Sequence, residues 1–142
     1  MALYVKYESF VEFLTNKEID LFGGTDTLKV ALASDAPIVA TDQTLADITQ
    51  PTGTGYTAGG EDTLNTGTRS GALVTIGATD VVWTATAGDW TAARYVVLYD
   101  DTPTTPTADP LIAYWDYGSN FTLGNGETFT VDFTGDTLMT IS

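Results

Sequence analysis

"PLIAYWDYGSNFTLGNGETFTVDFTG", residues Pro110–Gly135, holds two apolar runs separated by a Gly/Asn-rich gap. The second run alternates: Phe129, Val131 and Phe133 fall on one side, Thr128, Thr130 and Asp132 on the other. That is the period of a strand with one face buried. The first run is different. Ile112, Tyr114 and Asp116 oppose Leu111, Ala113, Trp115 and Tyr117, so apolar or aromatic groups stand on both faces. Such a strand belongs in the middle of a sheet, with one face in a core and the other under a helix, a loop or a partner.

The flanking sequence carries the same signature. "ALVTIGA", "DVVWTAT", "ARYVVLYD", "LIAYWDYG", "ETFTVDF" and "TLMTIS" are six short apolar runs. "TAGDW", "DDTPTTPTADP" and "GSNFTLGNG" separate some of them with turn residues. Further upstream, "DTLKVALAS" alternates Leu28, Val30 and Leu32 against Lys29, Ala31 and Ala33. Many short strands at this spacing predict a mainly β protein, an antiparallel β-sandwich or barrel-like fold.

One helix is expected. In "KYESFVEFLTNKEIDLFGG", Tyr7, Phe10, Val11 and Leu14 recur at helical spacing. Ser9/Glu12 and Thr15/Glu18 both match a capping box, and Gly23–Gly24 would end the segment. This places a helix over about residues 7–21 and a strand-rich body over 27–142, within a single domain spanning 1–142. "ATDQTLADITQ" has room for one helical turn after Asp42, capped by that residue. "PTGTGYTAGGEDTLNTGTRSG" reads as one long loop, and long loops inside compact domains often have a job.

Composition excludes several kinds of chemistry. The 142 residues contain no Cys and no His, which removes thiol nucleophiles, His-based triads and most zinc or copper sites. Five Lys+Arg stand against nineteen Asp+Glu, a net charge of −14 that repels nucleic acid and anionic membranes. The N-terminal "MALYVKYESF" lacks the apolar core of a signal peptide, so synthesis and initial residence in a cytoplasm are expected. Edge strands are usually guarded by Lys, Pro or charge, and Lys is absent from the later strands, so Asp side chains or another subunit must do this work.

The carboxylates offer three weak candidates for a site. Asp116 and Asp132 lie on consecutive strands and could flank a glycosidic bond, although outward-facing solubilising Asp is the plainer reading. "DDTPTTPTADP" and "GGEDTLNTG" supply oxygen atoms for calcium without the EF-hand spacing. Trp83, Trp90, Trp115, Tyr95, Tyr99, Tyr114 and Tyr117 could stack on sugars or simply fill the core. "GTGYTAGG" has no Lys and does not match a phosphate loop. Arg69 and Arg94 are each expected to pair with an acid, across an interface if not within the chain. No catalytic, metal or cofactor residue is assigned.

Taken together, "KYESFVEFLTNKEIDL", "DTLKVALASDAP", "LADITQPTGTGYTAGG", "VVWTATAGDWTAARYVVLYDDT" and "DPLIAYWDYGSNFTLGNGETFTVDF" resemble a family of small virion structural proteins of tailed bacteriophages, most like head decoration (capsid cement) proteins. The resemblance covers nearly the whole chain. It implies a non-enzymatic protein on the outer capsid surface, assembled in the host cytoplasm and bound to the major capsid protein. It also implies a homo-oligomer, such as a trimer, with neither nucleic acid nor membrane as partner. A tail- or fibre-associated module binding host glycan is the alternative. Residues placed on candidate contact segments are Tyr4, Tyr7, Phe10, Tyr56, Arg69, Trp90 and Asp101.

Overall fold

The computed structural model describes residues 3–22 and 25–142. In chain order its elements are β1 (Val5–Lys6), α1 (Ser9–Thr15), β2 (Leu28–Ala33), a 3-10 turn (Leu45–Asp47), β3 (Glu61–Asp62), β4 (Thr66–Ser70), β5 (Leu73–Gly77), β6 (Val81–Thr84), β7 (Ala93–Asp100), β8 (Leu111–Phe121), β9 (Thr128–Val131), a second 3-10 turn (Thr134–Asp136) and β10 (Thr137–Ile141). The strands form sheets ordered β1-β8-β7-β2-β3, β10-β5-β4 and β6-β9. Every pairing is antiparallel. The protein is therefore mainly β and sandwich-like, with one helix.

Alternation along the central strands builds the main core. Leu28, Val30 and Leu32 of β2, Val96 and Leu98 of β7, and Ala113 and Trp115 of β8 are buried together. Ile76 of β5, Val81 and Trp83 of β6, Val131 of β9, and Leu138 and Met139 of β10 complete the same cluster, so the two smaller sheets pack on one face of the large one. Trp83 is fully buried and stacks on Phe129 across the β6–β9 ladder.

The other face of the large sheet carries Ala31, Ala33, Val97, Tyr99 and Leu111. Val39, Leu45 and Ile48 lie over it, together with buried Tyr7. The chain thus covers its own second face with residues 36–50, which fills the role that the sequence left open to a helix or a neighbouring subunit. Backbone hydrogen bonds clamp this cover: Glu8 N–H to Val39 O, Leu45 N–H to Asp109 O, Leu111 N–H to Gln43 O and Ser34 N–H to Thr49 O. The 3-10 turn is closed by a capping box in which Asp47 accepts the Gln43 and Thr44 N–H groups. Thr44 is the cap; Asp42 instead accepts the Ile38 N–H.

A bulge changes the facing of β8. Leu98 pairs with Ala113 but Tyr99 pairs with Leu111, leaving Ile112 as the extra residue. Ile112 joins Ala113 in the main core, and Leu111 joins Tyr114 on the opposite face. Simple alternation grouped these residues the other way round.

The helix is shorter than its pattern. It ends at Asn16, where Lys17 turns left-handed at φ 63°. Glu18 N–H reaches Phe13 O, and Lys17 N–H reaches Leu14 O, the bond pair of a Schellman stop. Gly23–Gly24, the stop expected from sequence, lie outside the described residues. Neither expected capping box forms, since Glu8 is the cap and makes no side-chain bond. Phe10 and Phe13 anchor the helix in the main core.

A third of the glycine-rich stretch forms strands. β3 and β4 form within it, and β4 was hidden because its residues, TGTRS, are almost all exposed and show no apolar alternation. The remainder is bonded down on the sheet. Tyr56 Oη accepts the Leu32 N–H at 3.0 Å, Gln50 accepts the Gly59 N–H at 2.8 Å, and Tyr99 Oη donates to Gly59 O at 2.6 Å. Gly60 has φ +69°, and a Cβ there would land on Val30 O, so this approach requires glycine.

Candidate functional site

A cleft of about 310 Å³ opens between β8 and β9, lined by Val96, Trp115, Asp116, Tyr117, Phe129, Thr130 and Asp132. β1 pairs only with Ala113 and Tyr114 of β8, so the strand from Trp115 onward has a strand partner on the β7 side alone. β9 pairs only with β6. The cleft therefore lies beside two strand segments that each have an unpartnered edge among the described residues.

Its wall is aromatic. Tyr117 is 59% exposed, and its ring meets Phe121 and Phe129 edge-on at 5.3 and 5.4 Å. Phe121 and Phe129 stack at 4.2 Å with an interplanar angle of 15°. These three rings brace one another into a fixed, partly exposed surface, which is an arrangement favoured at binding interfaces.

The two carboxylates weighed from sequence both line this cleft, but they are not alike. Asp116 is held in a bidentate pair by Arg94, Nε to Oδ1 at 2.8 Å and Nη2 to Oδ2 at 2.9 Å, and also accepts the Gly118 N–H. Arg94 and then that N–H keep its carboxyl below the usual carboxylate range. A carboxylate tied in this way is a poor proton donor at neutral pH. Asp132 is exposed on the cleft rim. The pairing expected for Arg94 is present. Arg69 is exposed on β4, and no ion pair joins it to an acid among the described residues.

The candidate contact residues scatter. Tyr7, Phe10 and Trp90 are buried core side chains, which a partner cannot reach without opening the domain. Their helical or aromatic signal is explained by packing, and Trp90 Nε1 also donates to Thr54 O. Tyr4 is half-buried with its ring edge-on to Trp115. Tyr56 is half-buried, burial pushes its phenol up to about 12, and its hydroxyl donates to Gln50. Asp101 pairs with Lys29 at 2.8 Å. None of the seven lines the cleft. The sequence marks Phe129 and Thr130 of the lining only as alternating strand positions and gives Val96 no site role, although the two-sided apolar character of the β8 run points to this neighbourhood.

Of the two acid-rich loops, "DDTPTTPTADP" contributes a buried group. Among the described residues no three His, Cys, Asp or Glu side chains converge to hold a metal. Asp100 is fully buried; Oδ1 accepts the Thr102 N–H at 3.0 Å. Its Oδ2 has no ordinary donor, and Asp26 is its carboxyl neighbour. Burial first, and Asp26 second, push the Asp100 carboxyl up to about 8. The pair is one in which the two groups cannot both ionise easily.

No family model, curated protein or solved structure matches this chain. No helix among the described residues is long and apolar enough to cross a membrane.

Proposed function

We propose that this protein is a structural virion component of a tailed bacteriophage, which decorates and stabilises the capsid exterior by non-covalent binding to the major capsid protein. The observation that carries this reading is the braced aromatic surface of Tyr117, Phe121 and Phe129 beside unpartnered strand edges. Such a surface offers contact area with little ordering cost on docking. The sequence resemblance gives the setting, and the net charge of −14 suits a coat that keeps particles apart in solution. Many copies on a symmetric shell would act as a homo-oligomer, with a trimer the natural choice at threefold positions.

The competing glycan reading loses Trp83, Trp90, Trp115 and Tyr99 as stacking faces because these side chains are buried, and keeps only Tyr117 as a well-exposed ring among its candidates. A hydrolase built on Asp116 and Asp132 loses its acid to Arg94.

The test is to mix the purified protein with undecorated capsids and image the particles by electron microscopy. Stoichiometric, lattice-ordered density on the outer surface is expected. Bare capsids across a range of salt concentrations would reject the proposal.

A further inference from the structure

We propose that the β8–β9 cleft receives a lysine or arginine side chain carried on an extended segment of a partner protein. This rests on the decoration reading and specifies the chemistry of its contact.

Three observations lead to it. The accessible rings of the cleft wall are those of Tyr117 and Phe129, set edge-on at 5.4 Å, which attract a cation and shelter an alkyl stem. The rim carboxylate is Asp132, whereas Asp116 already has its charge matched by Arg94. Among the described residues the cleft therefore presents one acid without an ion-pair partner beside aromatic rings, within a chain of net charge −14. A basic side chain complements it, and an acidic one is repelled.

The extended form of the partner follows from the edges. Among the described residues, β8 beyond Tyr114 has a strand partner on one side only, and so does β9. An extended segment satisfies unpaired backbone groups while projecting every second side chain into a pocket. A sugar fits less well. Once Arg94 and Gly118 have taken Asp116, the polar groups of the lining are Asp132, Thr130 and the Tyr117 hydroxyl, and the charge of Asp132 favours a cation over a neutral ring.

The probes are an eight-residue peptide of alternating threonine and valine with a central lysine, and the same peptide with glutamate there. Binding to the full chain is followed by NMR at the Tyr117 and Phe129 rings and the Asp132 amide. Saturable shifts with the lysine peptide and none with the glutamate peptide are expected. Tyr117→Ala should weaken binding about tenfold and Asp132→Asn about threefold. Both side chains are exposed, and unchanged amide spectra elsewhere confirm that the variants fold. Equal binding of the two peptides, shifts outside the cleft only, affinity indifferent to both substitutions, or cleft shifts produced by an oligosaccharide but not by the lysine peptide would each overturn the assignment. Capsid binding separates the two readings. If both variants decorate capsids like the parent, the cleft assignment falls and decoration stands. If the lysine peptide binds the cleft but capsids stay bare, decoration falls and the cleft assignment stands.

Discussion

Replacing Asp100 by Asn should stabilise this protein at neutral pH, which is unusual for a change to a fully buried residue. The Asp100 carboxyl, raised from 3.8 to about 8, retains its proton in the folded state at pH 7. The proton also suits the neighbourhood, since it lets Asp100 sit beside the Asp26 side chain, whose Oδ2 accepts the Asp20 N–H at 2.8 Å. In the unfolded chain the same group ionises near its ordinary value. Between about pH 4 and pH 8 the folded state therefore binds more protons than the unfolded state, and stability falls as pH rises through that window. At about 1.4 kcal/mol per pH unit the whole loss is on the order of 5 kcal/mol, most of it incurred by pH 7. An Asn at this position can accept the Thr102 N–H with its oxygen and donate to Asp26 with its amide, so it needs no proton. Urea unfolding of both proteins from pH 4 to pH 9 isolates the effect of this pair, because carboxylates other than Asp100 and its neighbour Asp26 cancel in the difference. The advantage of Asp100→Asn should grow steadily with pH, reach roughly 4 kcal/mol near pH 7 and level off above pH 8. In thermal melts at pH 7 it corresponds to a rise in Tm on the order of 10 °C. A difference that does not change with pH, or a variant less stable than the parent at pH 7, would refute the reasoning.

Other outcomes follow from the same geometry. Trp83→Ala removes a fully buried ring from the junction of the sheets and should lower stability by about 3–5 kcal/mol in denaturant unfolding. Gly60→Ala should cost more than 1 kcal/mol, because the methyl meets Val30 O at a left-handed φ, and its effect should be largest on hydrogen exchange around β2. Tyr56→Phe leaves the Leu32 N–H without its acceptor and should cost about 1–3 kcal/mol, with faster exchange of that amide. Arg94→Met should raise the Asp116 carboxyl toward the ordinary range, visible as a shifted NMR titration, with little change in unfolding midpoint because both groups are partly exposed.

The sheet strands were legible where burial imposed alternation. β2 and β5 to β10 all coincide with runs whose apolar residues repeat at every second position or fill a two-faced strand. β1, β3 and β4 were not, because two-residue edges and an exposed strand leave no apolar trace. The helix is legible from the spacing of Phe10, Val11 and Leu14, but taking Gly23–Gly24 as its stop overextends it to residue 21, since the chain already turns left-handed at Lys17, a residue type that gives no stop signal. The cleft was half legible. The two-faced β8 run signalled surplus apolar surface, but the bulge at Ile112 and the salt link from Arg94 depend on cross-strand register, which composition and spacing do not encode.

The self-made cover over the second face of the large sheet has a consequence for how the chain reaches its native state. Residues 36–50 are synthesised before β7 and β8, the strands that supply much of their seat. Until those strands arrive, Leu45 and Ile48 have little to rest on, and the fold cannot close by local steps alone. Architectures that wait for distant partners fold on millisecond-to-second timescales and expose sticky intermediates meanwhile. Heavy acidity, which mutually repels such intermediates, serves the nascent chain before it serves the folded protein.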